Sequence, residues 1–149
     1  MKNKYFIHTS LLFTLILFCL FFSSCKKSDP GPTRDPNDEV KAKLTAGIWN
    51  IQNVTAGGVD RTTSYTGMTL TISATSFTAT NGQPVWPNSG TWSFAGSDGT
   101  SITRGDGLVI NILELTANSM KLGLVWSTTT YGPGRIGSVS GNHVFTFSK

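Results

Sequence analysis

Residues of the types that perform catalysis or hold a metal are sparse in this chain. Its two histidines are His8, in an N-terminal apolar segment, and His143 near the other end. After residue 45 the carboxylates lie mostly in or beside predicted turns: Asp60, Asp98, Asp106 and Glu114. A Ser-His-Asp triad needs an orienting group for its histidine, and a structural zinc ion needs four ligands. This distribution predicts no enzyme activity, no metal site and no cofactor.

Aromatic residues are the stronger candidates for binding a ligand. Trp86 lies between Pro84 and Pro87 on a predicted loop, where it either covers the mouth of a core or contacts a ligand. Tyr65 and Tyr131 also lie on predicted loops. Two further tryptophans fall on strand faces, where a core position is the default. The candidate ligand-binding residues are Trp86, Tyr65, Tyr131, Trp92 and Trp126.

Arg104-Gly105-Asp106 spells a tripeptide known from adhesion proteins, but three residues recur by chance. We interpret it as the end of a strand followed by a hairpin turn at Asp106-Gly107. Arg104 shares a strand face with Ile102, and burying an unpaired charge is costly. We therefore expect the Arg104 side chain to point outward; the alternative is a buried charge that would suit an acidic ligand.

The composition indicates one domain rich in strands and turns. The 149 residues are 38% apolar, enough for a single core, while charged residues make up only 13% against the usual share of about 25%. Removing Lys2 and Lys4 with a leader takes Lys and Arg from 12 to 10 against 8 acidic residues, a net charge of +2. Because these basic residues are scattered, no nucleic-acid surface is predicted.

After residue 48 the apolar residues alternate with polar ones, which is the period of half-buried strands. Strands are predicted at 49–55, 68–73, 76–80, 90–95, 100–104, 108–113, 120–127 and 142–148. Turn signals separate them, and no long helical pattern provides a parallel crossover. The alternatives are a two-sheet sandwich and a closed barrel, and sequential hairpins favour closure because it removes both edges. We predict a small eight-stranded antiparallel up-and-down β-barrel, with His143 as a barrel-end residue.

A short helix and a linker precede the barrel. Val40 and Leu44 fall on one face of a predicted helical turn over 38–44, with Asn37 or Asp38 as its cap. Gly47 then lets the chain turn into the first strand, so that Leu44 and Trp49 seal that end of the barrel. Residues 25–38 contain prolines and mixed charge, which predicts a flexible linker before a barrel domain at 39–149.

The N-terminus has the pattern of an export signal. Lys2 and Lys4 precede an apolar run of 12 residues at 11–22, short of the roughly 20 needed to cross a bilayer. Small residues, Ser23 and Ser24, come just before Cys25. This arrangement resembles a bacterial lipobox, which implies cleavage after residue 24 and acyl chains on Cys25. Two or more chains anchor a protein stably to a membrane.

Gly47-Ile48-Trp49 after a helical turn resembles the G-x-W signature of lipocalins. Together with the lipobox and the segments at 84–92, 106–108 and 141–145, it resembles the lipocalin-like lipoproteins of Bacteroidetes-type bacteria. The resemblance implies a lipocalin-like barrel and a cell-envelope location, at the outer membrane. Two family features are missing: a T-D-Y motif at 113–116, and an arginine in the last strand to stack on Trp49.

These observations predict a lipid-anchored, non-catalytic module of the cell envelope that binds a small hydrophobic molecule. Eight strands enclose an interior just wide enough to hold one small ligand or to be filled by side chains. The alternative is a structural or interaction protein with a filled barrel, contacting another envelope protein or a glycan. The membrane, through the acyl chains on Cys25, is the predicted partner in both cases.

Overall fold

The computed structural model describes residues 35–128, 130–132, 135–138 and 140–149, and the side chains outside 129–139. The predicted signal peptide, Cys25 and most of the predicted linker lie outside these ranges. Within the described residues, no helix has the length and apolarity to cross a membrane.

A nine-residue helix, α1 (Pro36–Leu44), precedes the strands. Its cap is Asp35, whose side chain accepts a hydrogen bond from the backbone N–H of Asn37 at 2.9 Å, so the predicted cap at Asn37 or Asp38 is wrong. Pro36 explains the earlier start, because proline suits the first helical position, where its missing N–H needs no partner. Residues 36–38, expected in the linker, are therefore helical.

The strands occur where the alternation predicted them, with ends shifted by at most two residues. They are β1 (Ile48–Ala56), β2 (Val59–Asp60), β3 (Thr69–Ile72), β4 (Ser76–Thr80), β5 (Ser89–Phe94), β6 (Ser101–Arg104), β7 (Val109–Leu115), β8 (Ser119–Trp126), β9 (Thr130–Gly132), β10 (Arg135–Ser138) and β11 (Gly141–Ser148). A 3-10 helix (Thr62–Tyr65) and three short strands, β2, β9 and β10, were not predicted. Each of these elements is four residues or shorter, too short to show a periodic pattern.

Eight antiparallel strands close into a barrel, which confirms the predicted fold. Each strand pairs with the next along the chain, in the order β1, β3, β4, β5, β6, β7, β8 and β11, and β11 pairs back onto β1. Val54 lies opposite Phe145 in that closing pair. The β9–β10 hairpin forms a separate two-stranded sheet.

The antiparallel pairing places the connections at two ends of the barrel. We call one the helix end: it carries α1, the start of β1 and the turns after β3, β5 and β7. We call the other the loop end: it carries the segment at 57–68, the loop at 81–88 and the turn at 105–108. Asn37 fixes α1 at the helix end by donating from Nδ2 to the carbonyl oxygen of Gly96 at 3.0 Å.

Inward-pointing side chains fill the space between the strands. The buried apolar core is formed by Leu44, Trp49, Val54, Ala56, Tyr65, Met68, Leu70, Ile72, Phe77, Ala79, Val85, Trp86, Trp92, Ile102, Ile110, Met120, Leu122, Leu124, Phe145 and Phe147. In β7 the register shifts between Ile112 and Glu114. Leu113 is consequently 54% exposed, while Leu115 packs against the core.

Candidate functional site

The helix end is sealed by the residues of the G-x-W segment. Trp49 is fully buried, and its indole Nε1 donates to the carbonyl oxygen of Leu44 at 2.9 Å. The Lys149 ammonium lies 4.2 Å from the centre of the Trp49 ring, and it also donates to the Lys43 carbonyl oxygen at 3.4 Å. Lys149 thus supplies a cation over Trp49 although the last strand has no arginine. The Trp49 indole N–H is therefore paired within the seal, although Asn37 Oδ1, also at this end, is buried without a partner among the described residues.

Trp86 closes the opposite, loop end. It folds inward from the loop between β4 and β5, is 2% exposed, and packs edge-on against Phe77 and Phe145 at centroid distances of 5.6 and 6.1 Å. Its backbone N–H donates to the carbonyl oxygen of Gly82 at 2.8 Å. A Cβ at Gly82 would lie only 2.6 Å from the Trp86 Cβ, so glycine is required for this approach. The sequence allowed Trp86 either to cover the mouth of the core or to contact a ligand, and the structure shows that it covers the core.

The Trp86 indole differs from that of Trp49 in its hydrogen bonding. Its Nε1 is buried and has no acceptor within the part of the chain that the structure describes. An unpaired buried donor costs about 1–3 kcal/mol. The indole ring itself is therefore held by packing, without a hydrogen bond to its Nε1 among the described residues.

Arg104 lies beneath this cover, and the expectation that it points outward is wrong. It is 3% exposed, and it donates from Nε and Nη2 to the two carboxylate oxygens of Asp106 at 2.9 and 2.6 Å. A third bond runs from Nη1 to the Val85 carbonyl oxygen at 2.6 Å, and the guanidinium lies 5.7 Å from the Trp86 ring centre. The cost of burial is offset because the charge is paired across a two-residue turn.

The contact with Arg104 lowers the pKa of the Asp106 carboxyl group. Hydrogen bonds from the Arg104 guanidinium hold the pKa of Asp106 below its ordinary value of 3.8, against a smaller opposing effect of burial. The hairpin interpretation of residues 104–107 is confirmed by the bond from the Gly107 N–H to the Arg104 carbonyl oxygen at 2.8 Å. Because the arginine is buried and paired, the tripeptide is not presented as an adhesion motif.

Among the described residues, side chains fill the space that the strands enclose. Between the side chains beneath Trp86 the remaining void measures about 10 Å³, close to the lower limit for one water molecule. It is lined by Ile72, Phe77, Trp86, Trp92, Ile102, Arg104 and Ile110. Within the described part of the chain, the structure therefore shows the interior filled by side chains, which is one of the two alternatives that the sequence left open.

The remaining candidate ligand residues serve mainly as core. Tyr65 is 3% exposed, meets Phe145 edge-on at 5.1 Å, and has its pKa raised to about 12 by burial. Trp92 is 6% exposed and donates from Nε1 to the Ser73 carbonyl oxygen at 3.0 Å. Trp126 is partly buried against the core. Tyr131 lies in β9, and its side chain is outside the described residues. The structure brings Tyr65 and Trp86 together around Phe145.

His143 is a buried barrel-end residue, as predicted. It is 2% exposed, its Nδ1 lies 3.0 Å from the Gly141 carbonyl oxygen, and its ring stacks on Phe145 at 6.1 Å. Across the described ranges no three His, Cys, Asp or Glu side chains come together.

Two clefts open on the outer surface of the loop end. One, of about 430 Å³, lies between the 3-10 helix and the 81–88 loop; we call it the neutral cleft, lined by Thr63, Ser64, Thr66, Asn81, Gln83 and Asn88. The other, of about 310 Å³, lies beside the cover, lined by Phe77, Pro87, Ser89, Gly90, Thr91, Arg104, Gly105 and Asp106. The neutral cleft was not predicted, because Thr, Ser and Asn in loops are also what turns require.

One comparison with known proteins assigns a family. The family description "Lipocalin-like domain" matches residues 45–122, just over half of the chain, from before β1 into β8. No curated protein sequence matches the chain. The closed eight-stranded barrel with one short helix agrees with that match in architecture. The chain therefore belongs to the lipocalin-like domain family.

Proposed function

We propose that this protein is a non-catalytic binding module that uses its barrel as a packed scaffold and meets its partner on the outer surface of the loop end. The observation that carries this proposal is the filled interior: a void of about 10 Å³ beneath a buried Trp86. Small-molecule sites are usually about 300–1,000 Å³. The two outer clefts reach that range, and the interior does not.

The same proposal places the protein at the cell envelope, held by acyl chains on Cys25. The lipobox-like sequence supports this, and so does the position of α1, into which the chain leads from Cys25. Asp35 lies ten positions after Cys25, a span of at most about 35 Å when fully extended. α1 lies at the helix end of the barrel, whereas the two outer clefts lie at the loop end.

Attachment is tested by replacing the cysteine. Cys25→Ala should remain unprocessed and should not incorporate radiolabelled fatty acid, whereas Cys19→Ala, inside the apolar run, should be processed and labelled normally. Labelling of the Cys25→Ala protein would overturn the anchor.

A second candidate function is the binding of a small hydrophobic molecule inside the barrel. Family membership and the unpaired Trp86 indole N–H beside an apolar void favour it. It requires Trp86 to leave its position, since the void itself is too small.

Tryptophan fluorescence separates the two candidates. The protein is titrated with fatty acids of increasing chain length and with a hydrophobic dye, and Trp86→Phe identifies the contribution of Trp86 to the signal. Our proposal predicts no saturable response. A saturable change that Trp86→Phe abolishes would instead establish interior binding.

A further inference from the structure

We propose that the neutral cleft binds an uncharged saccharide. This inference rests on the proposed function and gives its outer surface a ligand class. All six lining side chains are exposed, and all carry hydroxyl or amide groups: Thr63, Ser64, Thr66, Asn81, Gln83 and Asn88.

The chemistry of the lining selects the ligand. Hydroxyl groups both donate and accept hydrogen bonds, and amide side chains offer two donors and one acceptor oxygen. No charged residue lines the cleft, so an ionic ligand would lose hydration without gaining a counter-charge. The lining has no aromatic or aliphatic side chain beyond threonine methyl groups, so an apolar ligand gains little. A ring bearing several neutral hydroxyls matches this mixture of donors and acceptors.

The wall formed by the 3-10 helix is held rigid from beneath. Tyr65 anchors it in the core, and the Thr62 hydroxyl accepts from the backbone N–H of Val54 at 3.0 Å. The Thr66 hydroxyl donates to the Thr63 carbonyl oxygen at 2.9 Å, which fixes two of the lining residues relative to each other. Because Tyr65 faces inward, its neighbours Ser64 and Thr66 face the cleft.

The opposite wall is fixed by Trp86 and by Asn81. Asn81 has a φ of 55°, a left-handed conformation that asparagine tolerates better than most residues. Its Nδ2 donates to the carbonyl oxygens of Thr66 and Gly67 at 3.3 and 3.4 Å, joining the two walls at the floor of the cleft. Tyr65 and Trp86, two of the five aromatic residues that the sequence marked for ligands, thus orient polar residues that face solvent.

The cleft residues retain unused hydrogen-bonding capacity. Gln83 donates to Asn88 Oδ1 at 3.4 Å, and this bond, like those of Asn81, is longer than the usual 2.7–3.2 Å. Within the described residues the Ser64 hydroxyl makes no side-chain hydrogen bond. In the second cleft, by contrast, the Arg104 and Asp106 charges are already paired with each other. A saccharide can therefore gain more hydrogen bonds in the neutral cleft.

The test uses the full processed chain in detergent micelles, applied to an immobilised panel of neutral oligosaccharides built from glucose, mannose, galactose and N-acetylglucosamine. Any saccharide retained is then titrated by calorimetry. Gln83→Ala combined with Asn88→Ala should raise Kd at least tenfold without a change in melting temperature. Asn111→Ala, an exposed amide on β7 outside the cleft, should leave Kd unchanged.

Failure of this inference differs from failure of the proposed function. If no neutral saccharide is retained, or if the double substitution leaves Kd unchanged, the saccharide site is overturned. A peptide that binds the cleft in its place would also overturn the saccharide, while the outer-surface function would stand. Saturable binding of a fatty acid that displaces Trp86 would overturn the proposed function itself.

Discussion

The two ends of the barrel are each closed by a tryptophan, but in different ways. At the helix end Trp49 lies in β1. Its indole Nε1 donates to the Leu44 carbonyl oxygen at 2.9 Å, and the Lys149 ammonium lies over its ring. At the loop end Trp86 lies on a loop and its indole nitrogen has no acceptor among the described residues. The two indole N–H groups therefore differ, because that of Trp49 is paired and that of Trp86 is not, although Asn37 Oδ1 at the helix end is also buried without a partner among the described residues.

Under the proposed function, the helix end is structural and the loop end carries the binding surface. The loop at 81–88 is held by the buried Trp86 ring and by backbone hydrogen bonds, so its exposed side chains contribute little to the core and tolerate changes. The helix end instead connects the linker, α1 and both strands of the barrel closure. We therefore expect substitutions at the helix end to affect mainly stability, and substitutions in the neutral cleft to affect mainly binding.

The largest effect is expected from Trp49→Ala. Removing a fully buried tryptophan leaves a cavity and costs about 3–5 kcal/mol of unfolding free energy. The Leu44 carbonyl oxygen also loses its donor. Urea unfolding followed by circular dichroism measures the change. A loss below about 1 kcal/mol would show that Trp49 does not seal the barrel and that the register of β1 is different.

The matched pair Trp49→Phe and Trp86→Phe isolates the indole N–H at each end. Both remove similar volume, but only Trp49→Phe breaks a hydrogen bond and leaves an acceptor unpaired, whereas Trp86→Phe removes an unpaired donor. We expect Trp49→Phe to be the less stable variant by about 1–3 kcal/mol. Equal losses of unfolding free energy in the two variants would contradict the distinction between the ends.

Asp106→Asn tests the ion pair beneath the Trp86 cover. The neutral side chain leaves Arg104 buried without its counter-charge, and we expect a loss of about 1–2 kcal/mol, because Asp106 itself is half-exposed. The folded-state pKa of Asp106 is lowered, so its contribution is complete above the ordinary value of 3.8 and is lost as the pH falls further. The gap between wild type and variant in unfolding free energy should therefore narrow below about pH 4.

Glu114→Gln is the control for this effect. Glu114 and Lys121 form an exposed pair with an N–O distance of 3.6 Å. Loss of this ion pair in Glu114→Gln should lower the free energy of unfolding by less than about 0.5 kcal/mol at any pH. If Glu114→Gln loses as much unfolding free energy as Asp106→Asn, burial of Arg104 does not strengthen its pair with Asp106.

The sequence predicts the features that depend on residues close together in the chain, and it does not predict those that join distant segments. Alternation along a strand is local, so β4 was predicted at its observed bounds and Trp49 was placed in the core correctly. The Arg104 prediction failed because it treated the charge as unpaired, although Asp106 lies two residues away across a turn that brings the groups together. The neutral cleft combines the 3-10 helix and a distant loop, and nothing in either segment alone distinguishes a binding wall from a turn.

The smallest change in unfolding free energy is expected at Lys149, where substitutions test the cation–π contact at the helix end. Its ammonium lies over the Trp49 ring at 4.2 Å, and the side chain is exposed, so the cation–π contact is worth about 0.5–1 kcal/mol. Lys149→Met keeps most of the aliphatic stem and removes the charge, and it should lower the unfolding free energy by that amount. Lys149→Arg should restore it, because a guanidinium also binds the face of an indole ring. If methionine is as stable as lysine, the contact contributes through packing of the stem, and the closure at this end depends on Trp49 and its bond to Leu44 alone.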